Sequence, residues 1–378
     1  MEDVFDVIII GAGIAGASLA ADLAADHKVL VLERENLPGY HTTGRSAAVY
    51  SETYGNEAIR KLTVLSRSFF EAPPSGFSDI PLWRDRRVVL IGRADQSESL
   101  RHHYETTKLL AKNLNWLDAD EVKAMVPILE TGYAAAGVLE PDAKELDVHA
   151  IHSGYLRQTK QRGGQMVTNA DVRRLVRQNN NWTVETKAGT FRAKIVINAA
   201  GAWVDEIASL AGLQQIGVQP LRRTALTIAF DHPDAANWPV VIDVDENFYF
   251  KPEAGSLFCS PADETKMAPC DVQPDEMDIA ITVDRIEKAT TLRVKKILSS
   301  WAGLRTFAPD RTTVVGFDRT TDNFFWLAGQ GGYGIQTCPA MACAAAHLIR
   351  HGALPTEHLA VGLSEAILSP DRFTKMTQ

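Results

Sequence analysis

The first strong pattern in the chain is a β-branched apolar run, Asp6-Val7-Ile8-Ile9-Ile10. It gives way at once to Gly11-Ala12-Gly13-Ile14-Ala15-Gly16 and an alanine-rich, helix-favouring stretch to Ala25. A second apolar run, Lys28 to Leu32, stops at the acid Glu33. Short apolar runs bounded by turn residues read as buried strands, so the order is strand, glycine turn, helix, strand: a βαβ unit. Gly11 suits the tight turn, Gly13 admits a pyrophosphate against the backbone, and Gly16 lets helix and strand pack closely. The N–H groups and positive dipole end of the helix favour the phosphate, and Glu33 is placed to accept bonds from a ribose. A lone GxGxxG carries little weight, but strand, helix, second strand and terminal acid occur together here.

Further along, residues 85 to 93 read as a strand and 96 to 113 as a helical region with a charged face. Asp147 reads as the N-cap of a helix running toward Gly163-Gly164. From Gln165 the pattern is strand-rich, with Asn179-Asn180-Asn181 as a hairpin turn, and it closes on Ile195-Val196-Ile197-Asn198-Ala199-Ala200-Gly201. More strands fill 218 to 260, and a helix follows Pro274. The last block is a buried-type strand, Phe324 to Ala328, then Gly329-Gln330-Gly331-Gly332-Tyr333-Gly334 and an alanine-rich helix. The pieces are interleaved. We expect an α/β architecture in which 1–82, 143–215 and 300–378 form a Rossmann-type nucleotide-binding domain and 83–142 and 216–299 an α+β substrate domain.

Composition narrows the class. A chain of 378 residues, 45% hydrophobic and 23% charged, has the make-up of a globular protein. Its 39 Lys and Arg against 47 Asp and Glu, a net charge of -8, give no electrostatic reason to bind nucleic acid. Four cysteines without CxxC spacing read as free thiols in a reducing compartment, and no metal site is indicated. The start Met1-Glu2-Asp3 lacks a basic leader, and no apolar run is long enough to span a membrane. The expectation is a cytoplasmic enzyme without a transmembrane segment, with room for peripheral association with a membrane surface.

One glycine-rich βαβ serves either NAD or FAD. The choice comes from the remaining pieces. The hydroxyl-rich segment Thr42-Thr43-Gly44-Arg45-Ser46-Ala47-Ala48 and the glycine turn near Gly332 would hold the ring end of a long, extended cofactor. A helix start just after Gly332 would also place N–H groups beside the electron-rich edge of a reduced flavin. FAD is therefore the expected cofactor.

Read in order, GAGIAGAS, EREN, PGYHTTGRSAA, INAAGAW, QPLRRTA, FYFKPEAG, WAGLR and QGGYGIQT span nearly the whole chain. Together they resemble the D-amino acid oxidase (DAO) superfamily of FAD-dependent oxidoreductases, which includes glycine oxidase and sarcosine oxidase, and within it the D-arginine dehydrogenases most of all. The resemblance implies a Rossmann-type FAD domain joined to a substrate domain with a large antiparallel sheet. It implies that FAD is contacted by Gly11, Gly13, Ile14, Ala15, Gly16, Glu33 and Arg34, and by Thr42, Thr43, Arg45, Ser46, Ala47 and Ala48. Val172, Ala200, Gly201 and Trp203 would follow from the middle of the chain. Gly303, Arg305, Gly331, Gly332, Tyr333, Gly334, Ile335 and Gln336 would follow from its last block.

For the substrate, Arg222 and Arg305 are the candidate clamp, because a guanidinium presents paired donors to a planar carboxylate. Arg222 is in phase with Leu226, Ile228 and Phe230, which turns it inward and Arg223 away. The resemblance adds Tyr249 to the clamp, the Gly332 carbonyl for the amine, and Tyr54 at the opening. Ser51 accompanies Tyr54 as a loop hydroxyl. Val88 stands where D-arginine dehydrogenases carry a glutamate for the substrate guanidinium, and Val49 where they carry a histidine, with Asp85 a substitute only if the register slips. Burying an unpaired cation is costly, so apolar or uncharged D-amino acids are expected over D-Arg.

The chemistry implied is hydride transfer from the α-carbon to the flavin, giving an imino acid that hydrolyses to a 2-oxo acid. Phe258 and Gly303 fall where sarcosine oxidases carry their oxygen-activating lysine and flavin-linking cysteine. A non-covalent FAD and a dehydrogenase that passes electrons to an acceptor such as a quinone follow. The alternative is oxidation of an N-substituted amino acid, as in sarcosine or glycine oxidases, or of a 2-hydroxy acid. His149 and His152 read as solvated, and His41 receives no acid or base role.

Overall fold

The computed structural model describes residues 4–253 and 255–376, so the opening Met1-Glu2-Asp3 lies outside the described residues. The strand Val4–Ile10 pairs in parallel with Val29–Leu32 on one side and with Gly189–Asn198 on the other. Gln165–Val167 continues the sheet beyond Val29–Leu32. Gly189–Asn198 is long enough to serve two partners along its other edge. Its first half takes the antiparallel strand Asn181–Thr186, and its last residues take Phe324–Ala328 in parallel.

A parallel sheet covered on both faces needs strands that are apolar throughout, and these are. Val7, Ile9, Val29 and Val31 pack with Leu19, Ala344 and Ala345 of the helices Ile14–Leu23 and Gly334–His351. Ile8, Ile10, Leu30 and Leu32 pack on the opposite face with Trp182, Phe324 and Trp326. The hairpin joining Val172–Gln178 to Asn181–Thr186 turns through Asn179 and Asn180, both at positive φ (51° and 63°), as a tight two-residue loop requires. Asp147 caps the helix Val148–Gln161 by accepting the Ala150 N–H.

The second sheet has ten strands. Its spine is the antiparallel pair Gln219–Ala229 and Ile297–Phe307. From it run Ser256–Ser260, Tyr249–Glu253, Val240–Asp243, Val88–Gly92, Ala136–Glu140 and Asn115–Asp118. One face is a core of Val89, Val241, Leu226, Ile228 and Phe250 closed by Ile286 of the helix Glu276–Ala289. At the far edge the two-residue strand Gln330–Gly331 pairs with Thr306 and Phe307. Because only Gly329 separates Gln330–Gly331 from Phe324–Ala328, it fastens the two sheets together where the parallel strands end. Ligands of open α/β sheets bind beyond the carboxyl ends of such strands.

Candidate active site

The glycine turn is built by close packing. Gly11 has φ +104°, and a Cβ there would meet the Ala199 carbonyl oxygen at 2.5 Å. A Cβ at Gly16 would lie 1.9 Å from the Gly11 carbonyl oxygen, so Gly16 brings helix and turn together and does not face the cavity. The helix Ile14–Leu23 has no side-chain cap on its Gly13 N-cap. Glu33 holds the turn by accepting the Ala12 N–H (2.9 Å) and the Glu35 N–H (3.0 Å), while Thr43 Oγ1 accepts the Ile14 N–H (3.0 Å). His152 corrects the expectation of a solvated ring. It is buried with Nε2 2.8 Å from the Ala12 carbonyl oxygen, and burial lowers its pKa, so a neutral ring donates to the turn from beneath; His149 is exposed.

Two cavities continue into one another through the shared lining residues Gly13, Thr42, Thr43, Ala199 and Gly201. The outer end is walled by Glu33, Arg34, His41, Val172, Ala200 and Trp203. There the Arg34 guanidinium lies 4.8 Å from the Trp203 ring, and His41 packs 4.7 Å from the same ring. The inner end is walled by Ala15, Arg45, Ser46, Ala47, Phe258, Gly303, Gly331, Gly334 and Ile335. Thr42 Oγ1 donates to the Leu304 carbonyl (2.7 Å) and Arg45 Nη1 to the Ala302 carbonyl (3.0 Å), which stitches the 42–45 loop to the second sheet. A continuous channel, glycines at 11 and 16 that admit no side chain, and a helix N-terminus at its waist whose N-cap, Gly13, carries no side chain fit a dinucleotide-type cofactor with a pyrophosphate at that waist.

Beside the inner end a small cavity, volume ≈ 80 Å³, brings together Arg223, Arg305, Tyr249, Tyr54, Ser51 and Gly332. Its opposite wall is apolar: Ala47, Ala48, Val49, Val240, Ile242 and Ile335. Arg305 Nη1 donates to the Tyr54 hydroxyl (2.9 Å). Burial alone would raise the Tyr249 phenol, but the Arg305 and Arg223 guanidiniums outweigh it and pull its pKa below the ordinary value. Tyr54, with burial dominant, lies above it.

The clamp expected from Arg222 is a correction. Strand register sets Leu221 opposite Arg305 and Arg223 opposite Gly303, so Arg223 shares a face with Arg305. Arg222 is in phase with Leu226 and Ile228, as expected, but that phase faces the helix Glu276–Ala289. There its Nη2 pairs with Asp278 at 2.8 Å, with Asp275 and Asp263 at 3.4 and 3.7 Å. Arg223 is instead aimed by its Nε donating to the Asp263 carbonyl (2.8 Å) and its Nη2 to Glu264 (3.3 Å).

Other positions also differ. Val88 is fully buried, paired with Val240 and Glu140, and lies behind the cavity; Val240 and Ile242 supply that wall. Asp85 is an exposed partner of Lys144. Gln336 is buried away from the channel, accepting the Ser51 N–H (3.1 Å) and donating to Thr63 (2.8 Å). Tyr333 packs between Tyr54 and Phe307 and faces an outer vestibule of ≈ 680 Å³. This vestibule shares Ser51, Tyr54, Ile242 and Glu246 with the small cavity and is lined by Asp243, Asp245, Glu264 and Asp310. Sequence reasoning missed Arg223, though it stands in the same Arg-Arg pair, and Glu246, an acid that lines the cavity 3.9 Å from Arg223. Among the described residues no cluster of acids, histidines or cysteines suits a metal ion, and no helix is long and apolar enough to cross a membrane.

The profile of the DAO family, FAD dependent oxidoreductase, matches residues 6–348. Mitochondrial dimethylglycine dehydrogenase from Homo sapiens is 24% identical over 100% of this chain, which spans 45% of that enzyme's length. Glycine oxidase from Geobacillus kaustophilus is 22% identical, covering 91% of this chain and 93% of its own. Among solved structures, L-proline dehydrogenase from P. horikoshii superposes with a TM-score of 0.84 over 100% of this chain and 99% of its own, at 19% identity. That likeness shows a shared fold.

Proposed function

This chain belongs to the DAO family of FAD-dependent oxidoreductases, and on that basis we propose that it oxidises free D-amino acids with apolar or uncharged side chains to imino acids, as a dehydrogenase with non-covalently held FAD. The observation that carries the reading is the convergence of Arg223 and Arg305 with Tyr249 on one small cavity beside the channel. Two guanidiniums and a phenol form a carboxylate site, since paired N–H donors match a carboxylate's geometry.

When bound, FAD supplies the two-electron acceptor for the substrate's α-C–H bond. The residues supply orientation. Arg223 and Arg305 fix the carboxylate, the Gly332 carbonyl accepts a hydrogen bond from the amine, and the apolar wall of Val49, Val240 and Ile242 receives the side chain. Holding one C–H bond in a fixed direction is worth a large part of such a barrier. The amine must release a proton before its α-C–H bond breaks. The imino acid formed then takes up water and releases ammonia as a 2-oxo acid.

At the position of Phe258 the inner end of the channel presents an aromatic ring and no lysine, and Lys251, 5.5 Å from that ring, is paired with Glu145 at 2.7 Å. This supports an organic acceptor such as a quinone over oxygen. Among the described residues no cysteine or histidine lines that end, which supports a non-covalent cofactor.

The test is anaerobic mixing of the flavin-loaded protein with both enantiomers of a panel of amino acids, following loss of flavin absorbance. D-Met, D-Leu and D-Phe should bleach the flavin faster than D-Arg or D-Lys, with little peroxide formed on later exposure to air. Preference for D-Arg would overturn the side-chain assignment, and preference for L-enantiomers the stereochemical one. Silence of every amino acid would overturn the function.

A further inference from the structure

We propose that Glu140 is a positioning residue, whose carboxyl group reaches from the second sheet to fix the loop of residues 51–54 and thereby hold Tyr54 against Arg305 in the substrate cavity. The inference rests on the carboxylate-site reading given above and adds to it the device that keeps the site assembled.

Glu140 ends the strand Ala136–Glu140 and is 3% exposed. Among the described residues no cation pairs with it. Its carboxyl is instead spent on three consecutive residues of one loop. Oε2 accepts from Ser51 Oγ at 2.6 Å and from Thr53 Oγ1 at 2.8 Å, and Oε1 accepts from the Glu52 N–H at 2.7 Å. The two hydroxyls also lie 3.0 Å apart. From the other side Gln336, on the helix that starts at the inner end of the channel, accepts the Ser51 N–H. The loop is thus held between the substrate sheet and the cofactor-side helix. The next residue is Tyr54, which takes the Arg305 N–H at 2.9 Å and packs its ring 4.9 Å from Tyr333.

Burying a carboxyl without a cation is unfavourable, and an apolar residue of similar size would cost less if the site asked only to be filled. Burial pushes the Glu140 carboxyl up to about 7, against the pull of the Ser51 and Thr53 hydroxyls and the Glu52 N–H. A side chain held there at that cost is explained by the three bonds it makes. Without them, the Glu52 N–H is left buried and unpaired, the Ser51 and Thr53 hydroxyls keep only each other, and Tyr54 loses the anchor next to it in the chain.

The experiment uses the full flavin-loaded chain and the variants Glu140→Leu, Glu140→Gln and Thr53→Val. The probe is 4-methyl-2-oxopentanoate, a carboxylate whose binding is read by perturbation of flavin absorbance, alongside KM and kcat for a bleaching amino acid. Loss of one or two hydrogen bonds at the loop should raise KM and the probe Kd about tenfold or more in Glu140→Leu. Flavin content should stay intact, and kcat should change by less than about threefold. Glu140→Gln should stay within about threefold of the parent, because its oxygen can accept from Glu52 while its amide donates to the hydroxyls. Unchanged Kd and KM in Glu140→Leu with flavin retained would overturn the proposal, as would equal loss in Leu and Gln variants.

If Glu140→Leu does not fold, Thr53→Val decides, since it removes one hydroxyl at nearly constant volume. A rise of about threefold in Kd supports the role, and none overturns it. Hydrogen exchange at the amides of 51–54 needs no ligand and separates the two readings. Faster exchange in the Leu or Val variant but not in Gln supports the loop anchor even if the parent binds no carboxylate, an outcome that would sink the functional reading alone. Unchanged exchange in the variants that fold overturns the anchor.

Discussion

Gly332 lies directly against the guanidinium of Arg305: a methyl group added at Gly332 would stand 3.0 Å from Arg305 Cζ and Nη1. Because Gly332 is not in the left-handed region, alanine costs little in backbone strain there and acts through the side chain it crowds. Gly332→Ala should therefore weaken carboxylate binding by about tenfold with a thermal midpoint within a few degrees of the parent. Titration of the flavin-loaded protein with a 2-oxo acid, alongside a melt, checks both halves of the expectation.

Arg223→Met and Arg222→Met should part company. The first removes a residue of the proposed clamp, so substrate affinity should fall by about a hundredfold, the worth of a charge-assisted bidentate contact, while the protein stays folded. The second leaves Asp278 and Asp263 without their shared cation beneath the sheet, a loss of about 3 kcal/mol or more in stability. Denaturant titrations of both variants next to ligand titrations would show the separation. A stable Arg222→Met that has lost its substrate would contradict the register seen here.

That pair also shows what the amino-acid sequence does and does not disclose. The βαβ unit, the Asn179-Asn180 turn and the Asp147 cap are local, each decided by residues a few positions apart, and all were legible. The phase of Arg222 with Leu226 and Ile228 was also legible. Phase sorts a strand's residues into two sets, however, and where helices or a second unit cover both faces it does not say which set meets a ligand. His152 illustrates the same limit. Its helix is polar enough to look solvated, and it is buried by segments distant in sequence, Ala12 and Gly39 among them. Val88 was misplaced for another reason: the wall it was assigned to is built by Val240 and Ile242 of the strand beside it, a neighbour set by sheet order and not by sequence.

Glu145 predicts an acid limb of stability. Burial would raise its carboxyl, but Lys251, Arg86 and Arg84 outweigh burial and bring it from 4.5 to about 2. A pKa depressed in the folded state stabilises above the unfolded value and is lost as pH falls through the folded one. The contribution should be complete above about 4.5 and gone near 2. Glu145→Gln should thus lower Tm at neutral pH and converge on the parent as melts are taken from pH 5 toward pH 2. A constant difference across that range would show that the cations do not act on this carboxylate.

The two glycines flanking the helix start should fail differently. Gly16→Ala forces a methyl to within 1.9 Å of the Gly11 carbonyl oxygen, a backbone atom that cannot swing aside, and should prevent folding or flavin retention altogether. Gly13→Ala meets only Thr43 Oγ1 at 3.3 Å, yet Gly13 lines both cavities of the channel. It should give a folded protein that loses most of its flavin on gel filtration and regains colour with excess FAD.

The vestibule sets acids outside the small cavity that holds Arg223 and Arg305, so an electrostatic gradient runs between the two. Asp245, Glu246, Glu264 and Asp310 line the approach, where Arg311 is paired with Glu264, and the guanidiniums wait at the floor. A zwitterion can descend with its anionic end leading and its ammonium trailing among the acids, whereas a plain anion must first climb past them. Raising ionic strength should consequently quicken the capture of a hydroxy or oxo acid more than that of an amino acid, because screening removes a barrier only the former meets. The route in would then act as a filter for net charge before the inner walls ever test shape.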